Sequence, residues 1–377
     1  MDPQLFTKKA SGSLTKAPEG YPAFVPDPAP RSFRLSGESL AALDEASNQL
    51  GILQGIGRQL RNPELLISPY MSREAVLSSR IEGTQTTMSD MYAADLGQED
   101  LVRAADVREV QNYRSAYRLG LRSKLPLSLR LIRDLHRQLM RGVRGQARHP
   151  GEFRTYQNFI GAPTGSDASY VPPPVPQMQE LLTDLEAFLN EDDMRPLVQA
   201  AVAHYQFEAI HPFGDGNGRV GRLLIPLTLR DRGLLPQPLL YLSAYFERSR
   251  SEYYERLLRV STHGDWDGWI GYFLVGISTQ AQEAVDLADK LLALHNRYRE
   301  ELQAKHVTAN VLALIDALFE NPIMHTKRAE TILGVSAPTA RASIRVLADH
   351  GVLGEITDRS WRRIYEASEV YGLLRGG

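Results

Sequence analysis

The 377-residue chain has no cysteine. Disulfides, thiolate metal sites and cysteine nucleophiles are therefore excluded together, which fits a reducing compartment. No apolar run approaches the ~20 residues of a membrane-spanning helix. The N-terminal MDPQLFTKKASGSLTKAPEG lacks the apolar core of a signal peptide. The expectation is a cytoplasmic protein with no membrane partner. Net charge is small as well. There are 43 Lys and Arg against 45 Asp and Glu, giving −2, so any nucleic-acid surface would have to be a local patch. No H-E-x-x-H and no G-x-x-x-x-G-K-[ST] occurs, so neither a zincin site nor a P-loop is expected. Internal repeats and low-complexity tracts are missing too.

Most of what remains is helical in pattern. Residues 1–35 are the exception: GYPAFVPDPAPRSF carries too many prolines for a helix. With Tyr21, Phe24 and Phe33 it reads as an extended arm laid on a surface. From about 36 to 295, apolar residues recur at helical spacing. RPLVQAAVAHYQFEAI, for example, puts Leu197, Ala201, Tyr205 and Ala209 on one face. Residues 151–176, GEFRTYQNFIGAPTGSDASYVPPPVP, read instead as a β-hairpin or flap, with VPPPVP a stiff connector after it. Beyond 304 the order is helix, two shorter helices and a two-stranded wing. That is a winged helix-turn-helix pattern over 305–377. The fold class expected is mainly α, with a small hairpin flap and a C-terminal winged-helix domain.

One stretch cannot be core or plain turn: HPFGDGNGRVGR, His211–Arg222. Its glycines allow the backbone to aim successive N–H groups into one concavity, which binds anions. RVGRLLIPLTL then resumes helical spacing, so the concavity sits at a helix N-terminus. Arg219 and Arg222 share a face of the first turn and can fork onto different phosphates. Asp215 is a hard oxygen ligand suited to a phosphate-bound Mg²⁺. His211 is the one side chain there that exchanges a proton near neutral pH. These parts suit nucleotide-phosphate transfer with His211 as base. GNGRVG also spells G-x-G-x-x-G, but it follows a helix rather than a strand, against a dinucleotide fold. DGNG lacks the remaining ligands of a calcium loop. A purely structural Gly-rich turn would not need the two arginines.

The stretch resembles the signature of the Fic family, H-P-F-x-[DE]-G-N-G-R-x-x-R, with every specified position filled. The resemblance takes in roughly 36–295 and implies a helical enzyme that transfers AMP from ATP to a Ser, Thr or Tyr hydroxyl of a protein. It implies His211 as the base and Asp215 as the Mg²⁺ ligand. Asn217 and the amides of Gly216, Gly218, Val220 and Gly221 would hold the α- and β-phosphates. Arg219 would meet the β-phosphate and Arg222 the γ-phosphate. Ile160, Gly161, Ala162 and Pro163 would form the flap that pins the target by strand-like pairing. Tyr253, Tyr254 and Ser261 would line the adenine side. The division implied is arm 1–35, N-terminal helical segment 36–110, catalytic domain 111–295 and winged-helix module 305–377.

SSRIEG, Ser78–Gly83, matches the family's inhibitory motif [ST]-x-x-x-E-[GN]. Alone it would be a helix end, with Gly83 as the stop. Beside the complete signature it implies that Glu82, one turn from Ser78, pairs with Arg222 and displaces the γ-phosphate.

Other readings stay open at this stage. The 305–377 module has nine Lys/Arg and eight Asp/Glu, a net of 9 − 8 = +1, which is not a strong DNA footprint. Arg341 and Arg345 on the second of its short helices, with Arg359, Arg362 and Arg363 in the wing, nevertheless make a local DNA-binding patch conceivable. The chain would then be a DNA-binding regulator that senses nucleotide. Enzymatic removal of AMP, or use of another nucleotide, is a further alternative. Self-modification near TQTTMSDMY and a homodimer are also expectations. His204 and His136 read as hydrogen-bonded core residues, and Trp266 and Trp269 as core anchors.

Overall fold

The computed structural model describes residues 1–59, 62–95, 104–143, 149–161, 167–357 and 363–375. A hairpin, β1 (Gly12–Lys16) and β2 (Pro22–Pro26), comes first. The helical body follows as α1 (Gly37–Gln59), α2 (Glu64–Ile81), α3 (Met88–Ala94), α4 (Ala104–Arg122), α5 (Leu129–Leu139), α6 (Val175–Leu189), α7 (Pro196–Ile210), α8 (Asn217–Asp231), α9 (Ser243–Arg248), α10 (Arg250–His263) and α11 (Trp266–Ala304). The C-terminal part is α12 (Ala309–Glu320), β3 (Ile323–His325), α13 (Thr326–Leu333), α14 (Ala337–Asp349), β4 (Gly354–Glu355), β5 (Ile364–Glu366) and α15 (Ser368–Arg375). The fold is mainly α, as the sequence pattern implies.

Helix α7 is the centre. It starts at Pro196, where a missing N–H costs nothing. From Leu197 to Ile210 only Glu208 escapes full burial. The spacing marks one apolar face, yet α7 is enclosed on all sides, with Gln199, His204 and Gln206 buried beside its apolar residues. It packs on α8, and α1 lies along α11. One continuous apolar core runs from these helices through Leu314, Leu318 and Ile344 to Leu374. The boundary expected between 110 and 111 falls inside α4, and the one at 295 falls inside α11, which continues to Ala304. Helices cross both positions without a break.

In the C-terminal part, β5 sits between β3 and β4, and both pairings are antiparallel. Arg341 and Arg345 are exposed on α14, while Arg359 and Arg362 lie outside the described residues. The part grips α2 and α3: Ser68 Oγ donates to Glu320 O (3.4 Å), and Asn321 Nδ2 donates to Tyr92 O (3.4 Å).

The N-terminal arm does lie on the body, but as a hairpin. Pro22 and Pro26 fall at the two ends of β2, paired with Lys16 and Gly12, where they are tolerated. Phe24 is fully buried and its N–H donates to Val171 O (2.9 Å). Its ring meets Tyr170 (6.1 Å between centroids). Phe24→Ala is expected to lower stability by about 3–5 kcal/mol, read from urea unfolding curves. An unchanged midpoint would mean the hairpin detaches freely. The expected hairpin at 151–176 reduces, among the described residues, to one antiparallel bridge, Ile160 with Tyr170. Residues 162–166 lie outside the described set, and with them Ala162 and Pro163.

Candidate active site

Helix α7 ends at His211, which adopts the left-handed conformation (φ 50°, ψ 60°). That region is costly for a residue with a Cβ and marks a constrained position. The constraint is visible. The carbonyl of His211 accepts from Arg154 Nε (3.0 Å) and Asn158 Nδ2 (3.5 Å). The imidazole Nδ1 lies 3.3 Å from Glu208 O. A carbonyl only accepts, so Nδ1 carries the hydrogen and Nε2 keeps its lone pair. Burial, aided by the charge of Arg154, pulls the ring down to about 4, against Glu208 O, Glu82 and Asp215, which favour its proton. At neutral pH His211 is an unprotonated base.

Asn217 shapes the loop that follows. Its Oδ1 accepts from Phe213 N (2.8 Å) and its Nδ2 donates to Phe213 O (2.8 Å). The side chain is thus spent inside the loop. Gly216, at φ 77°, caps α8 without a side-chain hydrogen bond, which leaves first-turn N–H groups for a ligand. Asp215 Oδ1 accepts from Gly216 N (2.6 Å), and its side chain is 44% exposed.

The floor of the site is Arg222, whose side chain is 1% exposed. Its Nε donates to Ser78 Oγ (2.9 Å), and its Nη2 donates to Ser78 O (3.0 Å) and Glu82 Oε1 (2.5 Å). Glu82 is the C-cap of α2, and Gly83 follows at φ 97°. Burial alone would push the Glu82 carboxyl up. The charge and hydrogen bond of Arg222, with Arg219 and His211 further off, outweigh it and hold Glu82 below the usual carboxylate range. The carboxylate lies flat on the start of α8: a Cβ on Gly218 would collide with Glu82 Oε1. Glu82 therefore occupies the anion-binding end of α8.

Other residues sit differently from the family expectation. Arg219 is buried and turned to Glu109 (Nη1 to Oε2, 2.8 Å), with Asp215 3.7 Å away. Tyr253 and Ser261 are buried, bonded to His204 (2.8 Å) and Tyr205 (2.9 Å). Of that trio only Tyr254 is substantially exposed, at 44%. Ile160 and Gly161 sit at the flap's bridge, where Ser169 Oγ donates to Ile160 O (3.0 Å).

Sequence reasoning missed Glu109, Glu208 and Arg154. Glu208 Oε1 has no hydrogen-bond partner among the described residues, and a Cβ on Gly221 would collide with it. Burial, opposed by Arg222 and reinforced by Glu82, pushes its carboxyl up to about 8. It is therefore mostly protonated at pH 7, and Glu82 is the ionised partner of Arg222. His136 is a core residue as expected, but it faces the loop. Its ring stacks on Phe213 (3.7 Å, 5°), accepts Gly151 N–H at Nδ1 (2.8 Å), and so donates from Nε2 to Asp215 O (3.0 Å). The quoted segments 151–176 and 195–210 do carry Gly151, Arg154, Asn158 and Glu208, but nothing in their spacing marks these residues.

Among the described residues there is no group of three or more His, Asp or Glu able to hold a metal. Asp215 alone fits a cation that arrives on a polyphosphate. No described helix is long and apolar enough to cross a membrane.

The family model described as Fic/DOC family N-terminal matches residues 40–122, and that described as Fic/DOC family matches 126–229. Protein adenylyltransferase Fic of Drosophila grimshawi is 34% identical over 149 residues, 39% of this chain and 28% of that protein. The same protein of Drosophila virilis is also 34% identical, over 39% of this chain and 27% of its own length. The match thus spans under a third of these relatives. A Fic family protein from Desulfovibrio desulfuricans G20 shares the fold with a TM-score of 0.60, at 23% identity, over 90% of this chain and 98% of its own. A Fic domain containing signaling protein from Bacteroides thetaiotaomicron VPI-5482 superposes with 0.52, at 19% identity, over 66% and 96%. The two family models together take in most of α1 through most of α8, including both Glu82 and His211, and over residues 40–122 and 126–229 the chain belongs to the Fic/DOC family.

Proposed function

We propose that this protein is an adenylyltransferase that moves AMP from ATP to a Ser, Thr or Tyr hydroxyl of a protein target, and that Glu82 holds it off. One observation carries the reading. An unprotonated His211, with no hydrogen-bond partner on Nε2 among the described residues, stands beside a helix N-terminus whose anion position is filled by Glu82. ATP phosphates would bind the α8 N–H groups and Arg222 once the carboxylate moves. Asp215 would hold Mg²⁺, which supplies charge neutralisation to the polyphosphate. The target hydroxyl loses its proton to His211 Nε2 as its oxygen bonds the α-phosphorus. The bond from that phosphorus to the β-phosphate oxygen breaks, and pyrophosphate leaves. The relatives named adenylyltransferase support this chemistry.

The test uses ATP labelled on either the α- or the γ-phosphate, with wild type, Glu82→Gly and His211→Ala. Protein-bound α-label is expected, strongest in Glu82→Gly and lost in His211→Ala. Transfer of γ-label alone would mean phosphoryl transfer, and the proposal would be wrong.

A further inference from the structure

Arg154 is 3% exposed and forms no salt bridge among the described residues. Buried cations are normally paired, because an isolated charge is costly away from water. The guanidinium is instead surrounded by backbone carbonyls. Nε donates to His211 O (3.0 Å), Nη1 to Tyr156 O (3.1 Å), and Nη2 to Pro173 O (2.6 Å) and Ile210 O (3.5 Å). Its own N–H donates to Pro212 O (2.9 Å). Two of these carbonyls end α7, where the helix dipole is negative and favours a cation. Those of Tyr156 and Pro173 belong to the segments leading into and out of the flap. Burial leaves the guanidinium at about 10, still charged at neutral pH.

An uncompensated charge is an expensive way to tie carbonyls together, since amide side chains do the same without one. Asn158 does so beside it, donating to Phe213 O (3.1 Å). The location suggests what the charge is for. The charged groups acting on the His211 ring are, in order, Arg154, Glu82 after α2 and Asp215 in the loop. Both carboxylates favour a proton on the ring, and Arg154 opposes them.

Resting on the proposed function, we propose that Arg154 is a positioning residue: its fork of bonds to carbonyls fixes His211 against the flap, and its unpaired charge sits where it acts on the imidazole. The base and the edge that presents the target hydroxyl are then one rigid unit. A shift of the flap relative to His211 would cost rate, since misplacement by about 1 Å is worth on the order of 100-fold.

The 377-residue chain tests this, and its melting, ATP-binding and titration arms need no protein target. Arg154→Gln and Arg154→Lys are compared with wild type by thermal melting, by ATP binding, and by NMR titration of the His211 ring, assigned through its loss in His211→Ala. Transfer of α-label is measured in the Glu82→Gly background. Arg154→Gln is expected to raise the proton affinity of His211 about tenfold and to lower kcat at least tenfold, with ATP affinity within twofold. Arg154→Lys keeps the charge but not the fork. Its titration should match wild type while kcat falls. A folded Arg154→Gln with unchanged titration overturns the role of the charge. If Arg154→Gln does not fold, Arg154→Lys decides: wild-type kcat there overturns the positioning. Absence of α-label in every variant, with the titration shifted as stated, would count against the adenylyl-transfer reading and leave the role of the charge standing.

Discussion

Replacing Glu82 with glycine is expected to raise AMP transfer about 100-fold, the scale on which misalignment by about 1 Å costs rate. Glu82 does two things that a nucleotide must undo. It neutralises Arg222 and it covers Gly218 at the start of α8. Glycine removes both effects, and at a C-cap with φ −85° it meets no backbone strain. The substitution also has a stability cost. An exposed pair is worth about 0–1 kcal/mol, and breaking a buried one costs about 3–5. With Arg222 1% and Glu82 33% exposed, the loss falls between these. Two features limit it. Arg222 keeps its bonds to Ser78. Glu208, relieved of its anionic neighbour, can ionise more readily beside it. The melting temperature should therefore fall without ATP and recover more with ATP than it does in wild type. Glu82→Gln, which keeps the shape and loses the charge, should release only part of the inhibition. If Glu82→Gly binds ATP and its target and transfers no faster than wild type, Glu82 is not the restraint. Acid bears on the same pair. The carboxyl of Glu82 is depressed in the folded protein, so its contribution to stability is present above the unfolded value and is lost as pH falls through the folded one.

How far the sequence could reveal this site depends on sequence distance. His211, Asp215, Arg219 and Arg222 lie within one helical start, where spacing alone predicts a shared location. The Glu82–Arg222 pair spans 140 residues, and no local pattern connects them. It was legible only because a second family motif carried it. Glu109, 110 residues from Arg219, belongs to no motif. On α4 it is one polar residue among many, and only the packing of α4 on α8 makes it a partner. Arg219 was expected to face phosphate for the same reason: spacing places a side chain on a face but does not say which buried carboxylate it will meet. The N-terminal hairpin was obscured by its prolines. They argue against helix and central strand alike, yet Pro22 and Pro26 sit at strand ends where no ladder donor is needed. Periodicity also gave no stop for α11 at 295, because the chain there keeps its helical spacing to Ala304.

His211→Ala is expected to lower transfer by about 10²–10⁴, the usual worth of a placed general base, while ATP binding stays near wild type. The side chain lost makes no bond to the α8 N–H groups that would hold phosphate. Its loss alone does not prove a base, because a left-handed residue could matter through its backbone. The pH profile separates the two roles. In the nucleotide-free protein the ring takes a proton only near pH 4. kcat/KM for ATP reports the free enzyme, so a change near pH 8 would belong to Glu208, and the acid limb should come only as the His211 ring becomes protonated. kcat reports the complex. There the polyphosphate adds negative charge beside the ring, raises its proton affinity and should move the acid limb to higher pH. Glu82→Gly removes an anion that favours the proton, so its kcat/KM limb should move to lower pH. A bend in kcat/KM at the ordinary histidine value of about 6.5 would mean a solvated ring, and the hydrogen bond to Glu208 and the charge of Arg154 would not be tuning it. Equal limbs in kcat and kcat/KM would mean that the phosphates do not bind beside His211. That result would move the nucleotide away from α8.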